Sequence, residues 1–219
     1  MRLYKKDFMI MEQLNIKIYK DIFERILQGD LPADSLIREN SLIEYYGVSR
    51  APVREALIML CTEGVLKSIP RAGYQIIQVS EKQEREIIQF RCFLECSALK
   101  ANWGYIHEQF IEKLQAADAK QCSTAPSFLS AFWQANIDFH TLLISLGNNN
   151  YAVESLRSAM RTQYRALGQY LWNFQGNTNP LCDPGHKMLL NALAQKDLSL
   201  SVARLEEDIM GFRIYDKFI

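Results

Sequence analysis

The most informative absence in this 219-residue chain is any excess of charge of one sign. The chain holds 25 Lys and Arg against 25 Asp and Glu, so its formal net charge is zero. Neutrality excludes a protein that coats nucleic acid through bulk positive charge. Affinity for a polyanion must come from a local patch, such as Arg50, Arg54, Lys67 and Arg71, and dimerisation would double that patch.

Long apolar runs and paired cysteines are also missing. No stretch approaches the ~20 residues of a membrane-spanning helix, and residues 9–11 are too short for a signal peptide. The five cysteines form no CxxC pair, which favours small buried side chains over the alternative, a thiol redox sensor. We therefore expect a soluble, cytoplasmic protein, and 48% hydrophobic residues suffice for folded cores.

The segment 47–57 contains the strongest local pattern. Ser49 is a good N-cap residue, because its hydroxyl can accept a backbone N–H that opens a helix. Pro52 then falls in the first turn, where its missing N–H is not needed. Arg50 and Arg54 are four residues apart and project from the same side of the helix. A glycine turn at Gly47 followed by such a helix predicts a recognition helix for the DNA major groove.

The residues of this segment read Gly-Val-Ser-Arg-Ala-Pro-Val-Arg-Glu-Ala-Leu, and residues 60–64 read Leu-Cys-Thr-Glu-Gly. This pattern resembles the helix-turn-helix core of the GntR family of bacterial transcription regulators. The resemblance implies a winged helix that reads DNA with its second helix, recognition helix and wing; a winged helix that serves only protein contacts is the alternative. Relatives often place an arginine where this chain has Asn40, so the operator is expected to differ, with Arg38 compensating. The predicted DNA-binding residues are Arg38, Asn40, Ser49, Arg50, Ala51, Arg54, Arg71 and Gly73.

The flanking sequence completes a winged helix over residues 1–79. Residues 1–10 read as a loose arm, and apolar residues spaced by four predict a helix over about 12–27. Residues 36–37 read as a short extended piece, followed by helices at about 39–46 and 50–63, the last capped by Gly64. Two β-rich runs, 65–69 and 74–79, are joined through 70–73 and predict a hairpin, with Arg71 at its tip positioned for the minor groove.

Residues 80–219 read as helices separated by Gly, Asn and Pro clusters, with Ser80 as a cap for the first. Together with the winged helix they predict a mostly α protein whose second domain is an all-α bundle. Arg91-x-x-Leu94-Glu95, Phe139-His140, Gly147-Asn148 and His186 resemble the FCD effector domain of the FadR subfamily within the GntR regulators. The resemblance implies effector binding and dimerisation in this domain, with Arg91 as an effector-binding residue.

Many FCD domains hold a divalent metal, zinc or a similar ion, with one Asp and three His. Matched by position, the resemblance implies the set Asn136, His140, His186 and Asp208. Two positions agree with the family pattern and two differ, while the formal ligand charge stays at −1. A metal-free pocket with hydrogen-bonded core histidines is the alternative.

We therefore expect a ligand-responsive regulator, repression being the commoner outcome in the family, and not an enzyme. It would bind a double-stranded, pseudo-palindromic operator as a homodimer and sense a small carboxylate effector. Two alternatives stay open. One is a constitutive DNA-binding protein whose bundle only dimerises; the other is a metal-dependent enzyme in which His140, His186 and Asp208 activate water.

Overall fold

A computed structural model describes residues 2–31, 36–123, 129–173 and 185–211. The chain divides into two compact units, one formed by residues 1–78 and 168–174, the other by 79–167 and 175–219. Most of the described residues outside one small sheet are helical. The prediction of a mostly α fold with an N-terminal winged helix and a helical bundle is confirmed.

Three helices build the first unit. They are α1 (Arg2–Leu27), α2 (Glu39–Tyr46) and α3 (Arg50–Thr62). The expectation of a loose arm over residues 1–10 is wrong, because α1 begins at Arg2. Residues 2–27 contain no Gly or Pro, so nothing in the local sequence interrupts the amphipathic helix that follows.

Glycines end two of these helices as predicted. Gly47 takes the left-handed conformation, with φ 63° and ψ 35°, and its N–H donates to the Ile43 carbonyl. Gly64 has a φ of 66° and follows α3. Left-handed backbone is costly for residues with a Cβ, so both turns need glycine, and the Gly47 turn sets the angle between α2 and α3.

The wing is the hairpin of β2 (Leu66–Ile69) and β3 (Gly73–Ile76). The predicted extended piece is β1 (Leu36–Ile37), which adds to the other edge of β3 and gives the antiparallel order β1-β3-β2. The sheet packs on the core of the first unit through Ile37, Leu66 and Ile76. This core also contains the inner faces of the helices, including Ile22, Val53, Leu57 and Leu60.

The second unit is a bundle made largely of six described helices. They are α4 (Glu81–Ala101), α5 (Glu108–Ser123), α6 (Leu129–Ser145), α7 (Asn150–Asn173), α8 (Gly185–Ala194) and α9 (Leu198–Gly211), with a short 3-10 turn at Trp103–Tyr105. Ser80 caps α4 as predicted, because its Oγ accepts a hydrogen bond from the Gln83 N–H at 3.2 Å.

The bundle core joins apolar residues of α4, α5, α6, α8 and α9, among them Leu99, Leu114, Phe139, Leu189 and Leu205. Within the described residues, none of the helices has both the length and the apolar content needed to cross a lipid bilayer. Several polar side chains are also buried in the second unit, including Arg91, Glu95, Asn136, His140 and Asp208. Burying so many polar groups is unfavourable unless they are paired or bind something, so they mark the site described below.

Candidate DNA-binding surface and candidate metal centre

The N-terminus of α3 presents the predicted recognition residues to solvent. Ser49 precedes the helix with extended backbone, but its side chain accepts no hydrogen bond from the first turn. The predicted capping bond is therefore absent, and the Ser49 hydroxyl is not occupied by the helix. Ala51 and Arg54 are exposed, while Pro52 is buried in the first turn.

Arg50 is tied on the surface to the start of α2. Its Nε lies 3.1 Å from Glu39 Oε1, and its Nη2 donates to Asn40 Oδ1 at 3.2 Å. The Arg50 side chain is nevertheless 66% exposed. An exposed pair of this kind adds little to the stability of the fold, and the exposure leaves Arg50 within reach of a duplex.

A cleft of about 810 Å³ lies between the starts of α2 and α3 and the wing. It brings together five of the eight predicted DNA-binding residues, which are Arg38, Asn40, Arg50, Arg71 and Gly73. Ser49, Ala51 and Arg54 do not line this cleft.

The tip of the wing departs from ordinary backbone geometry at Arg71, which has a φ of 62° and is exposed. Gly73 has a φ of 137°, and a Cβ there would lie 2.5 Å from the Ile37 carbonyl oxygen. The close approach that Gly73 permits is thus the pairing of β1 with β3. The sheet therefore gives a structural reason for a glycine at this position, which the sequence predicted as a DNA-binding residue.

A second cluster lies inside the bundle, where α6, α8 and α9 bring His140, His186 and Asp208 together. The two Nε2 atoms are 3.3 Å apart. Asp208 Oδ2 lies 3.2 Å from His140 Nε2 and 3.9 Å from His186 Nε2, yet it makes no hydrogen bond of good geometry. All three residues are buried, so three ligand-type atoms face one small buried volume.

Two carboxylates that sequence reasoning did not assign orient the histidines. His140 Nδ1 lies 2.6 Å from Glu95 Oε2, and His186 Nδ1 lies 3.0 Å from Asp118 Oδ1. A carboxylate on Nδ1 fixes the tautomer that leaves the Nε2 lone pair available, which is how metal-ligating histidines are commonly held. The only sequence signal for either carboxylate was the spacing of four between Arg91 and Glu95. That spacing predicts an ion pair between these two residues, but it does not predict that Glu95 also contacts a histidine.

The donor set fits a divalent cation. Two Nε2 lone pairs that face each other repel unless a proton or a cation lies between them. With neutral histidines, Arg91 cancels Glu95, and Asp118 and Asp208 leave two negative charges in this network, which a divalent ion would balance. Two imidazole nitrogens and a carboxylate are ligands that zinc and similar metals accept.

Asn136 adds to this fit. It is fully buried one helical turn before His140, and neither its Oδ1 nor its Nδ2 has a hydrogen-bond partner within the described residues. Buried amides without partners are rare and call for a bound species. Gly185 completes the site, because a Cβ there would collide with the Asp208 carboxylate.

The charges of these buried groups shift one another's pKa values. Burial by itself lowers the pKa of His140, but the Glu95 and Asp208 carboxylates together outweigh burial and raise the pKa above its ordinary value. Burial raises the pKa of Glu95, yet Arg91 and His140 bring the net pKa below its usual range. The pKa of Asp208 is likewise lowered against burial by the histidine pair. These shifts favour the ionised carboxylates and the protonated form of His140.

Arg91, the predicted effector-binding residue, is completely buried on α4. Its Nε donates to Glu95 Oε1 at 2.8 Å and its Nη1 donates to Gln163 Oε1 at 2.7 Å. Its Nη2 and the Gln163 Nε2 have no hydrogen-bond partner within the described residues. Arg91 is thus joined through Glu95 to His140, and two donors remain available beside that pair.

Other side chains of the second unit are also buried. Arg165 on α7 is only 4% exposed. Trp133 is part of the core and stacks on Tyr164. Cys61, Cys92 and Cys96 are free thiols, and burial raises the pKa of Cys96 to about 12, which disfavours a reactive thiolate. Cys122 and Cys182 lie outside the residues whose side chains are described.

A winged helix with an exposed arginine pair, in one chain with a helical bundle that buries a polar site, defines a ligand-responsive DNA-binding transcription regulator. Residues 14–76 match the gntR family of bacterial regulatory proteins, and residues 86–210 match the FCD domain. The chain belongs to the GntR family of regulators that carry an FCD domain, as the sequence pattern indicated.

Individual relatives agree with this assignment. The gluconate operon transcriptional repressor of Bacillus licheniformis is 22% identical over 95% of this chain and 88% of its own length. The Escherichia coli protein McbR/YncC has the same fold, with a TM-score of 0.69, 21% identity, and coverage of 94% of this chain and 99% of its own. A Listeria monocytogenes structure described as Lar has a TM-score of 0.62 at 19% identity, over 91% of this chain and 94% of its own.

Proposed function

We propose that this protein is a transcriptional repressor of the FadR subfamily that binds a pseudo-palindromic operator as a homodimer and responds to a small carboxylate. Residues 1–79 would bind DNA, and residues 80–219 would bind the effector and dimerise. The observation that carries this proposal is the coexistence of an exposed arginine pair on α3 with a buried His140–His186–Asp208 cluster in the same chain.

DNA binding would use the surface around α3 and the wing. Arg54 and Arg50 would enter the major groove, and Arg71 would reach the adjacent minor groove. Arg38, Asn40, Ser49, Ala51 and Gly73 would contact the backbone or place these arginines. Two recognition helices in a dimer would meet half-sites about one helical turn apart. A regulator of this kind would act in the cytoplasm and would need no catalytic step.

The effector site would lie in the bundle. His140, His186 and Asp208, with Asn136 as a fourth donor, would hold a divalent cation such as zinc. When bound, that ion supplies a Lewis-acid site with open positions for a carboxylate. Arg91 Nη2, which has no hydrogen-bond partner within the described residues, would bind another oxygen of the effector. Differential binding of the acid to two dimer geometries would change operator affinity.

If the protein bound DNA constitutively, its bundle would bind no small acid. The buried polar network argues against this alternative. Five buried polar atoms in the network have no hydrogen-bond partner within the described residues; they belong to Arg91, Asn136 (two), Gln163 and Asp208. A surface that served only dimerisation would not need them. The enzyme alternative would require turnover of a bound acid, which the experiment below also detects.

The test begins with protein purified without chelators and analysed for metal. Gluconate is a justified first probe, because relatives are named gluconate operon repressors, followed by a panel of small mono- and dicarboxylates. An acid that binds at one hundred times its Kd raises stability by about 2.7 kcal/mol, which a thermal melt detects. We expect at least one acid to raise the melting temperature of wild-type protein and not of His140→Ala/His186→Ala. No response to any acid would favour the constitutive alternative, and consumption of an acid would favour the enzyme.

A further inference from the structure

The candidate DNA-binding cleft contains a carboxylate, although a surface that binds phosphates is expected to carry positive charge. Glu39 lines the cleft together with Arg38, Arg50 and Arg71. Its side chain is 25% exposed, and its charge therefore lies among the arginines of the cleft that would face phosphates. A carboxylate there repels a phosphate backbone and weakens non-specific binding. Such a residue needs a compensating role.

The contacts of Arg50 supply that role. Glu39 Oε1 faces its Nε at 3.1 Å, and Asn40 Oδ1 accepts from its Nη2 at 3.2 Å. Nε and Nη2 form one edge of the planar guanidinium, so two neighbouring residues of α2 hold that edge together. Arginine has five N–H groups in a fixed fork, and the edge containing Nη1 is the one that these contacts leave for another acceptor.

Holding one edge fixes the direction of the other. A guanidinium whose plane is set in advance loses less freedom when it binds, and its Nη1 and Nη2 donors match the O6 and N7 acceptors of guanine. A flexible arginine on the same surface would bind phosphates of any sequence equally well. The clamp therefore favours base reading over phosphate contact.

We propose that Glu39 and Asn40 are positioning residues that clamp Arg50 for bidentate recognition of one guanine in the operator. This inference rests on the proposed DNA-binding function. It also assigns a different role to Asn40, which stands where relatives often have an arginine: it orients a base-reading residue of α3 and is not itself the main reader.

The test uses the full chain and a pool of random-sequence DNA duplexes. Duplexes selected by wild-type protein define a consensus, and selection by Arg50→Ala identifies the guanine position that depends on Arg50. Fluorescence anisotropy then gives the Kd for the selected duplex and for a scrambled duplex of equal length and composition. The variants are Glu39→Gln, Asn40→Ala and the matched control Glu44→Gln, an exposed acid of α2 that does not line the cleft.

If Glu39 clamps Arg50, then Glu39→Gln should change the Kd values of the two duplexes in opposite directions, whereas a simple charge effect would change both in the same direction. Glu39→Gln should bind the scrambled duplex more tightly, because one repulsive charge is gone, yet bind the selected duplex about tenfold more weakly and lose the Arg50-dependent guanine. Asn40→Ala should weaken the selected duplex and leave the scrambled one unchanged. Glu44→Gln should leave the consensus and the ratio of the two Kd values unchanged.

The proposal is overturned if Glu39→Gln tightens both duplexes alike and keeps the guanine. If wild-type protein itself enriches no sequence, the proposed DNA-binding function fails and this inference fails with it. The two failures are distinguishable, because the second appears before any variant is made.

Discussion

Substitution of Gly185 by alanine is the sharpest probe of the buried site. Gly185 begins α8, and a Cβ at this position would lie 2.9 Å from Asp208 Cγ and 3.1 Å from Asp208 Cβ, with the nearer carboxylate oxygen closer still. Its φ is not in the left-handed region, so alanine is acceptable to the backbone. Because the clash involves the carboxylate, Cγ and Cβ of Asp208, it requires Asp208 or the start of α8 to shift, and such a shift changes the position of the carboxylate relative to the two histidines.

Two opposing effects set the expected change in the free energy of unfolding. Alanine in place of glycine favours a helix by at most about 1 kcal/mol, whereas overpacking a buried site costs about 1–3 kcal/mol. A net loss of about 1–2 kcal/mol would lower the melting temperature by about 2–4 °C per kcal/mol. Metal affinity should fall more, by at least about 100-fold, because a ligand is displaced and changes outside the ligand shell already cost 10–100-fold.

The assay is competition of zinc against a fluorescent chelator, with thermal melts of metal-free protein in parallel. Asp208→Ala supplies the control background, because the colliding carboxylate is then gone and only the 3.1 Å contact with the Cβ of residue 208 remains. In that background Gly185→Ala should cost less stability than it does in wild-type protein, and it should leave zinc affinity unchanged. If Gly185→Ala binds zinc like wild-type protein, Asp208 is not a ligand and the site is wrongly assigned.

Three other outcomes are expected. Glu95→Gln leaves the buried Arg91 charge without its partner and should destabilise the bundle by about 3–5 kcal/mol in a thermal melt. Glu86→Gln, which alters an exposed pair with Lys82, should change stability by less than about 0.5 kcal/mol. Because the pKa of His140 is raised, zinc must displace a proton from it, so zinc affinity should increase as the pH rises through that pKa. Calorimetry in buffers of different ionisation enthalpy should detect the released proton. Binding heats that do not depend on the buffer would contradict this expectation. Arg54→Ala should abolish specific operator binding in a gel shift and leave the dimer unchanged in size-exclusion chromatography, and unchanged binding would contradict its assignment.

Local chemistry made the fold largely predictable from the sequence. Gly47 and Gly64 stop helices through their left-handed backbone, and the β-rich run at 65–69 before Pro70 gives the first strand of the wing. The pairing of β1 with β3 was not predictable, because it joins Leu36 and Ile37 to residues almost forty positions later. The start of α1 was missed because a segment without Gly or Pro can be read either as a helix or as an arm.

The candidate site was predictable only in part. The resemblance to FCD domains placed His140, His186 and Asp208 in one set, and the structure brings them together. Glu95 and Asp118 could not be assigned, since their roles depend on contacts across 45 and 68 residues of sequence. The surface contact of Arg50 with Glu39 was missed for the same reason, because spacing within one helix does not reveal the neighbours that another helix brings.

Coupling between the buried site and DNA affinity is the most direct test of the account. The measurement is the Kd of wild-type protein and of His140→Ala/His186→Ala for the selected duplex, with and without the panel acid that raises the wild-type melting temperature most. We expect the acid to change the wild-type Kd by about 5–150-fold and to leave the Kd of the double variant unchanged. Equal wild-type affinities with and without the acid, or an equal response of the double variant, would contradict it.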